Sequence, residues 1–383
     1  MKLKKAGIFF LAAILTSSLT GCQFSVPFTK EEAKEVLLKN TVPTNKISKS
    51  HIVEPNSAGL SKKLLSSSKI SNSLQDKIKK YLLSNKVNGS VVVIRDKKTI
   101  LDEGFGYSSI EKKIFNQAQT TYPIASITKT FVATSVMQLQ EKGKLNINDP
   151  LSKYIPDFPN GNKIKLIYLL SHRSGIQKPK WHKGDTTPEA LVKEIEKRPL
   201  LFQPGTQWDY KDANYMILGY ILEKVTGTSL HDYIQKNIFN KAGMKHSGFI
   251  TRQYPKLYTS TGYILDPVRM YPLGISNPYM LYGCGDIYTT AHDLSLYDQT
   301  LMKGDLVSMK SLEEIEKPLS SSHYGLGLYN NGSVISSRGV LGGWESLHLY
   351  FKDKTSIVLL LNERHKKSDI YKISDEILHL VRS

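Results

Sequence analysis

Cysteine is nearly missing from this chain: two in 383 residues, Cys22 and Cys284. That excludes a disulfide framework, and no zinc-ligand spacing occurs. The fold must then rest on a buried core, and the roughly 310 residues of the folded part are enough to bury one. Long apolar runs are also scarce. Ile8 to Leu15 is too short for a comfortable membrane span, and no second candidate span follows. There is no internal repeat. Acidic residues are in deficit, with 34 Asp+Glu against 52 Lys+Arg, for a net charge of +18. Such a surface favours polyanions. Nucleic acid is not expected as a partner, because no RNP-like run or concentrated basic helix is present.

The N-terminus carries what the rest lacks. Lys2, Lys4 and Lys5 precede the apolar stretch, and Leu19-Thr20-Gly21-Cys22 follows it. This resembles a bacterial lipobox, in which the cysteine is lipid-modified and becomes the new N-terminus. The expectation is a lipoprotein signal peptide over 1–21, lipidation at Cys22 and a flexible tether over 22–70. The folded domain follows over 71–383, extracytoplasmic and anchored to the bacterial cell membrane. A lipidated Cys22 leaves Cys284 unable to form an intramolecular disulfide.

Within 71–383, Leu74, Ile78, Tyr81 and Leu82 form a helical stripe. Gly89 to Arg95 and Thr99 to Gly104 read as strands of a hairpin turning at Asp96-Lys97-Lys98. From about 120 to 300 the pattern is helices and long loops. It includes a helix over Asn214–Val225 stopped by Gly227 and another from Thr290. Strands return at Ser333–Ser337, Ser346–Phe351 and Thr355–Leu361, and a helix over Ser368–Val381 closes the chain. Strands at both ends and helices between them predict an α/β (α+β) fold. One antiparallel sheet is built from both chain ends and flanked by terminal helices, and a mainly helical subdomain is inserted.

The chemistry concentrates in Pro123-Ile124-Ala125-Ser126-Ile127-Thr128-Lys129. It leads into a helix over Val132–Gly143 with Ile127, Phe131, Val136 and Leu139 on one side. Ser126 falls at the helix start and Lys129 three residues on, so hydroxyl and amine share a face. Unpaired N–H groups of the first turn and the helix dipole favour a developing oxyanion there. A serine beside such a lysine is an activated nucleophile. Tyr210 lies in a polar loop before the Asn214 helix, where a phenol can relay a proton. His172 reads as a residue bracing its loop, and Cys284, set between glycines, as a small packed residue.

Taken together, these stretches resemble the serine β-lactamase and penicillin-binding protein superfamily, most closely its class C β-lactamase-like branch. The motifs that carry the likeness are Ser126-Ile127-Thr128-Lys129, Leu169 to Gly175, Phe202 to Tyr210, Gly283 to Asp286 with Thr289 to Leu294, and Tyr324 to Gly327. The resemblance implies that Ser126 is acylated, that Lys129 is its base or proton partner and that Tyr210 completes the relay. The implied oxyanion hole is formed by the backbone N–H groups of Ser126 and Val340, with no metal and no cofactor.

Two departures stand out. The tyrosine motif ends in Asp212 where Asn is usual; Asp212 could pair with Lys129 or bind a substrate ammonium. The third motif, normally a cation, a small residue and glycine, is Ser337-Arg338-Gly339, with Arg338 as the candidate cation for a substrate carboxylate. The function implied is a membrane-anchored serine hydrolase. It would act through an acyl-enzyme on D-alanyl peptide or ester bonds of peptidoglycan stems or teichoic acid. The alternatives are a catalytically weak binding or regulatory lipoprotein with a penicillin-binding fold, or a β-lactamase acting on β-lactams.

Overall fold

The computed structural model describes residues 73–180, 186–251, 258–265, 270–364 and 369–383. The expected signal peptide, Cys22 and the tether lie outside these residues. In chain order the elements that place the site are α1 (Leu74–Ser84), β1 (Gly89–Arg95), β2 (Lys98–Phe105), α2 (Thr128–Glu141), α3 (Ala213–Thr226) and α4 (Ala291–Met302). They continue with β3 (Tyr329–Asn330), β4 (Val334–Leu341), β5 (Trp344–Phe351), β6 (Thr355–Leu361) and α5 (Ile370–Arg382).

The six strands form one antiparallel sheet in the order β3-β4-β5-β6-β1-β2. Both chain ends therefore meet at its centre, where β1 pairs with β6. Asp96 and Lys97 have φ of 48° and 66°, so β1 and β2 are joined by a two-residue loop with left-handed backbone at both positions, as in a type I′ turn. The unbroken apolar run of β1 serves two cores. Val91 and Val93 pack with Ile78, Leu82, Leu359 and Ile377 beneath the terminal helices. Val92 and Ile94 belong to the larger core with Phe131, Leu294 and Val358. Burying each such side chain contributes about 1.5–3 kcal/mol. A slip of one residue would exchange the two sets, so the register is strongly specified.

The helical stretch between β2 and β3 covers the second face of the sheet. Ser73 caps α1, Thr290 caps α4 and Asp369 caps α5, each accepting from N–H groups of the first turn. Gly227, at φ 68°, ends α3 as expected. Two differences from expectation bear on the site. β4 runs on to Leu341, because Arg338-Gly339-Val340 continues to pair with β5. Helix α2 starts at Thr128 and is buried on all faces through Leu139, whereas the sequence suggested a single apolar stripe. Its Thr134 and Ser135 side chains donate to backbone carbonyls of their own helix and Thr130 donates to the Ile127 carbonyl just before it, which makes polar positions compatible with burial.

Candidate active site

A short strand, Tyr122–Pro123, pairs with Ile287–Thr289, and the Ile124 N–H donates to the Ile287 carbonyl at 3.0 Å. The chain then makes one 3₁₀ turn, Ala125–Ile127, and enters α2 directly. Ala125 has φ of +48°, a left-handed conformation costly for a residue with a side chain. Ser126 thus sits on a strained turn at the foot of a buried helix, and Lys129 lies one turn further along.

Lys129 is fully buried, and its Nζ donates to three acceptors. These are Ser126 Oγ at 3.0 Å, the Cys284 carbonyl at 2.9 Å and Asp212 Oδ1 at 2.7 Å. An ammonium has three N–H groups, so the count closes for the charged form. Burial alone would push Lys129 toward the neutral amine. The Asp212 carboxylate, with smaller contributions from Tyr210 and Cys284, overrides it and holds the group well above the usual lysine range. Asp212, on the turn before α3, is therefore engaged with the lysine. Its expected pull on a substrate ammonium is reduced accordingly.

The Tyr210 ring lies 5.0 Å from Lys129 Nζ, and the Tyr215 ring 5.9 Å. Tyr324 meets Tyr210 edge to face, with ring centroids 5.9 Å apart. Burial pushes the Tyr215 and Tyr324 phenols upward, so both stay protonated. His172 packs against Tyr210 with ring centroids at 4.1 Å and the ring planes tilted by 33°. Its Nδ1 accepts from the Lys211 backbone N–H at 3.2 Å and lies 3.1 Å from Asn214 Nδ2. Its own N–H therefore sits on Nε2. Burial, and then the Lys129 charge, hold His172 well below its usual range. A neutral ring whose acceptor is already used braces the Tyr210 loop, the role expected of it.

Strand β4 forms the other wall. A Cβ at Gly339 would stand 2.0 Å from the Ile124 carbonyl oxygen and 3.1 Å from Ala125 Cβ. Only glycine lets the strand approach the turn that carries Ser126. Val340 follows at this approach and pairs with Glu345 of β5. Ser337 is buried on the same side as α2, with Oγ 3.4 Å from the Gly327 carbonyl. Arg338 is not brought to the cluster. Its Nε donates to Glu345 Oε1 at 2.7 Å, and its guanidinium lies 5.7 Å from the Tyr371 ring of α5. Side chains alternate along a strand, so with Ser337 facing α2, Arg338 must face the terminal helices. The carboxylate-binding role expected of Arg338 is corrected on that ground.

Sequence reasoning weighed Cys284 only as a side chain and missed its carbonyl. The thiol is packed, with Sγ 3.5 Å from the Met280 carbonyl, while the backbone oxygen receives Lys129. Asp286 holds that turn, accepting from the Gly283 N–H at 3.3 Å and pairing with His231 Nε2 at 2.8 Å. The flanking glycines were the available signal of a tight turn. Among the described residues no group of three or more His, Cys, Asp or Glu side chains could hold a metal ion.

The chain is similar to known proteins. The Beta-lactamase family model matches residues 74–376, and the chain belongs to that family. The penicillin-binding-protein-like PbpX of Bacillus subtilis is 37% identical over 305 residues, covering 80% of this chain and 78% of the relative. Teichoic acid D-alanine hydrolase of Staphylococcus aureus is 32% identical over 290 residues, covering 75% and 73%. A crystal structure of FmtA from Staphylococcus aureus superposes with a TM-score of 0.73 at 29% identity, covering 85% of this chain and 96% of that one.

Proposed function

We propose that this chain is a serine hydrolase that removes D-alanyl groups from cell-wall polymers, acting on D-alanyl esters of teichoic acid in preference to D-alanyl peptides. The observation that carries the reading is the contact of Lys129 with both Ser126 and Asp212. It supplies a nucleophile with a fixed positive charge beside it, where negative charge develops.

Ser126 Oγ attacks the ester carbonyl carbon and the Tyr210 hydroxyl takes its proton. Tyr210 passes its own proton to the leaving polymer oxygen as the C–O bond breaks. The backbone N–H groups of Ser126 and Val340 receive the oxyanion. Water then adds to the acyl-enzyme carbonyl, D-alanine leaves and Ser126 recovers its proton.

Preference for an ester follows from the third motif. Ser337 is neutral and Arg338 faces the terminal helices, so neither supplies a cation for the free carboxylate of a D-alanyl-D-alanine terminus or a β-lactam. An esterified D-alanine carries no such carboxylate. The net charge, +15 once Lys2, Lys4 and Lys5 leave with the signal peptide, suits a polyanionic polymer, and the name of the 32% identical Staphylococcus aureus relative is consistent with that substrate. In this reading Cys22 is lipidated and anchors the enzyme outside the membrane. The test is D-alanine release from D-alanylated teichoic acid and from a D-alanyl-D-alanine stem peptide, with Ser126→Ala as control. Release from the peptide alone, or equal release by Ser126→Ala, would refute it.

A further inference from the structure

The short hairpin formed by Tyr107–Ser109 and Ile114–Phe115 is built inside out. Its polar Ser108 and Ser109 are 3% and 6% exposed, whereas its apolar Tyr107, Ile110, Ile114 and Phe115 are 37%, 40%, 50% and 59% exposed. A hairpin meeting only water shows the reverse pattern, because its apolar side chains are the ones that gain by burial.

Nor is this a loose loop whose side chains have simply not settled. The Ile110 N–H donates to Tyr263 Oη at 2.8 Å, and that hydroxyl donates to Glu111 Oε2 at 2.5 Å. The Thr261 N–H donates to the Ser108 carbonyl at 2.7 Å, and the Tyr107 and Phe115 rings stack at 4.6 Å. The apolar side chains are held outward on a fixed base.

We propose that this hairpin docks the folded domain on an anionic lipid surface. Ile110, Ile114 and Phe115 would enter the headgroup boundary, with Lys112 and Lys113 of the connecting turn on the lipid phosphates. The charges argue for this occupant. Both lysines are exposed at the turn, and although the Tyr263 hydroxyl keeps the one acid beside them, Glu111, ionised, the two lysines outnumber it and leave the turn net positive. The chain as a whole carries +18. Apolar and aromatic side chains flanked by lysines are the composition that partitions into anionic interfaces. The docking is independent of the chemistry at Ser126 and of any lipid on Cys22.

The test places a reporter at the hairpin, so that binding through the N-terminal region cannot imitate it. The full chain carrying Phe115→Trp is mixed with phosphatidylglycerol vesicles brominated on their acyl chains. Its emission is compared with that of the parent chain. The expected result is a blue shift with about twofold or greater quenching of the added tryptophan. Both effects should disappear on phosphatidylcholine vesicles and when Lys112→Glu and Lys113→Glu are added. The proposal is overturned by an added tryptophan that is neither shifted nor quenched on phosphatidylglycerol. Equal quenching on both lipids would also overturn it, as would a dimer in solution that Ile114→Ser dissolves, since the apolar side chains would then serve a second copy of the chain. Ile114→Ser lies on the surface and is expected to leave the melting temperature unchanged.

Discussion

Asp212 Oδ1 lies 2.7 Å from Lys129 Nζ, with the lysine side chain fully withdrawn from solvent. This carboxylate keeps the lysine charged against the penalty of burial. Because the folded pKa is raised, the stabilisation is complete below the unfolded lysine value of about 10.4 and is lost as pH rises through the folded value. Asp212→Asn leaves a buried ammonium without its counter-charge. At neutral pH this should destabilise by about 3–5 kcal/mol, unless part is relieved by deprotonation. The pH slope should also reverse, with the variant gaining stability as pH rises toward 10.4. Thermal melts from neutral to alkaline pH measure this. Parallel curves for variant and wild type would contradict the pairing.

His172 has the opposite sign. Its folded pKa is depressed, so its contribution is complete above the unfolded histidine value of about 6.5 and is lost as pH falls through the folded value. Wild type should lose melting temperature on acidification below about pH 6.5, and His172→Gln, which has nothing to titrate there, should lose less. The rate profile should show no limb assignable to His172 near neutral pH.

Gly339→Ala should separate β4 from the turn that carries Ser126, because the new methyl would overlap the Ile124 carbonyl. The expected cost is about 1–3 kcal/mol of stability. An activity loss of about a hundredfold is expected from the displaced edge. Retained activity in a folded Gly339→Ala protein would show that this approach is not needed.

Asp286 touches no reacting atom in the proposed chemistry but fixes the turn whose carbonyl receives Lys129. Asp286→Ala should lower kcat by about tenfold with KM little changed, the signature of misplacement rather than lost binding. His231→Ala, one bond further away, should do so more weakly. A rise in KM alone would contradict the positioning role.

Much of this was legible in the sequence because it depends on local spacing. Ser126 and Lys129 meet because three residues span one helical turn, Gly227 stops its helix because it accepts a left-handed backbone, and the alternate valines of β1 face two cores. The two terminal strand groups join into one sheet, as their patterns at opposite ends of the chain implied. What stayed hidden depends on partners distant in sequence. Arg338 could be assigned a face only once the pairing with Glu345 was seen. The choice of Asp212 between lysine and substrate turned on a 2.7 Å contact. The Cys284 carbonyl was invisible because backbone acceptors leave no residue-type signature. The outward apolar side chains of the Tyr107–Phe115 hairpin went unnoticed because composition does not record exposure.

The most direct measurement is the intact mass of the protein after exposure to a fluorophosphonate and, separately, to penicillin, with Ser126→Ala alongside. The expected result is a single covalent adduct with the fluorophosphonate on wild type and none on Ser126→Ala. Penicillin should react slowly, for want of a cation at Ser337. An adduct that persists in Ser126→Ala, or a wild-type protein unmodified by either reagent, would contradict the assignment of Ser126 as the nucleophile.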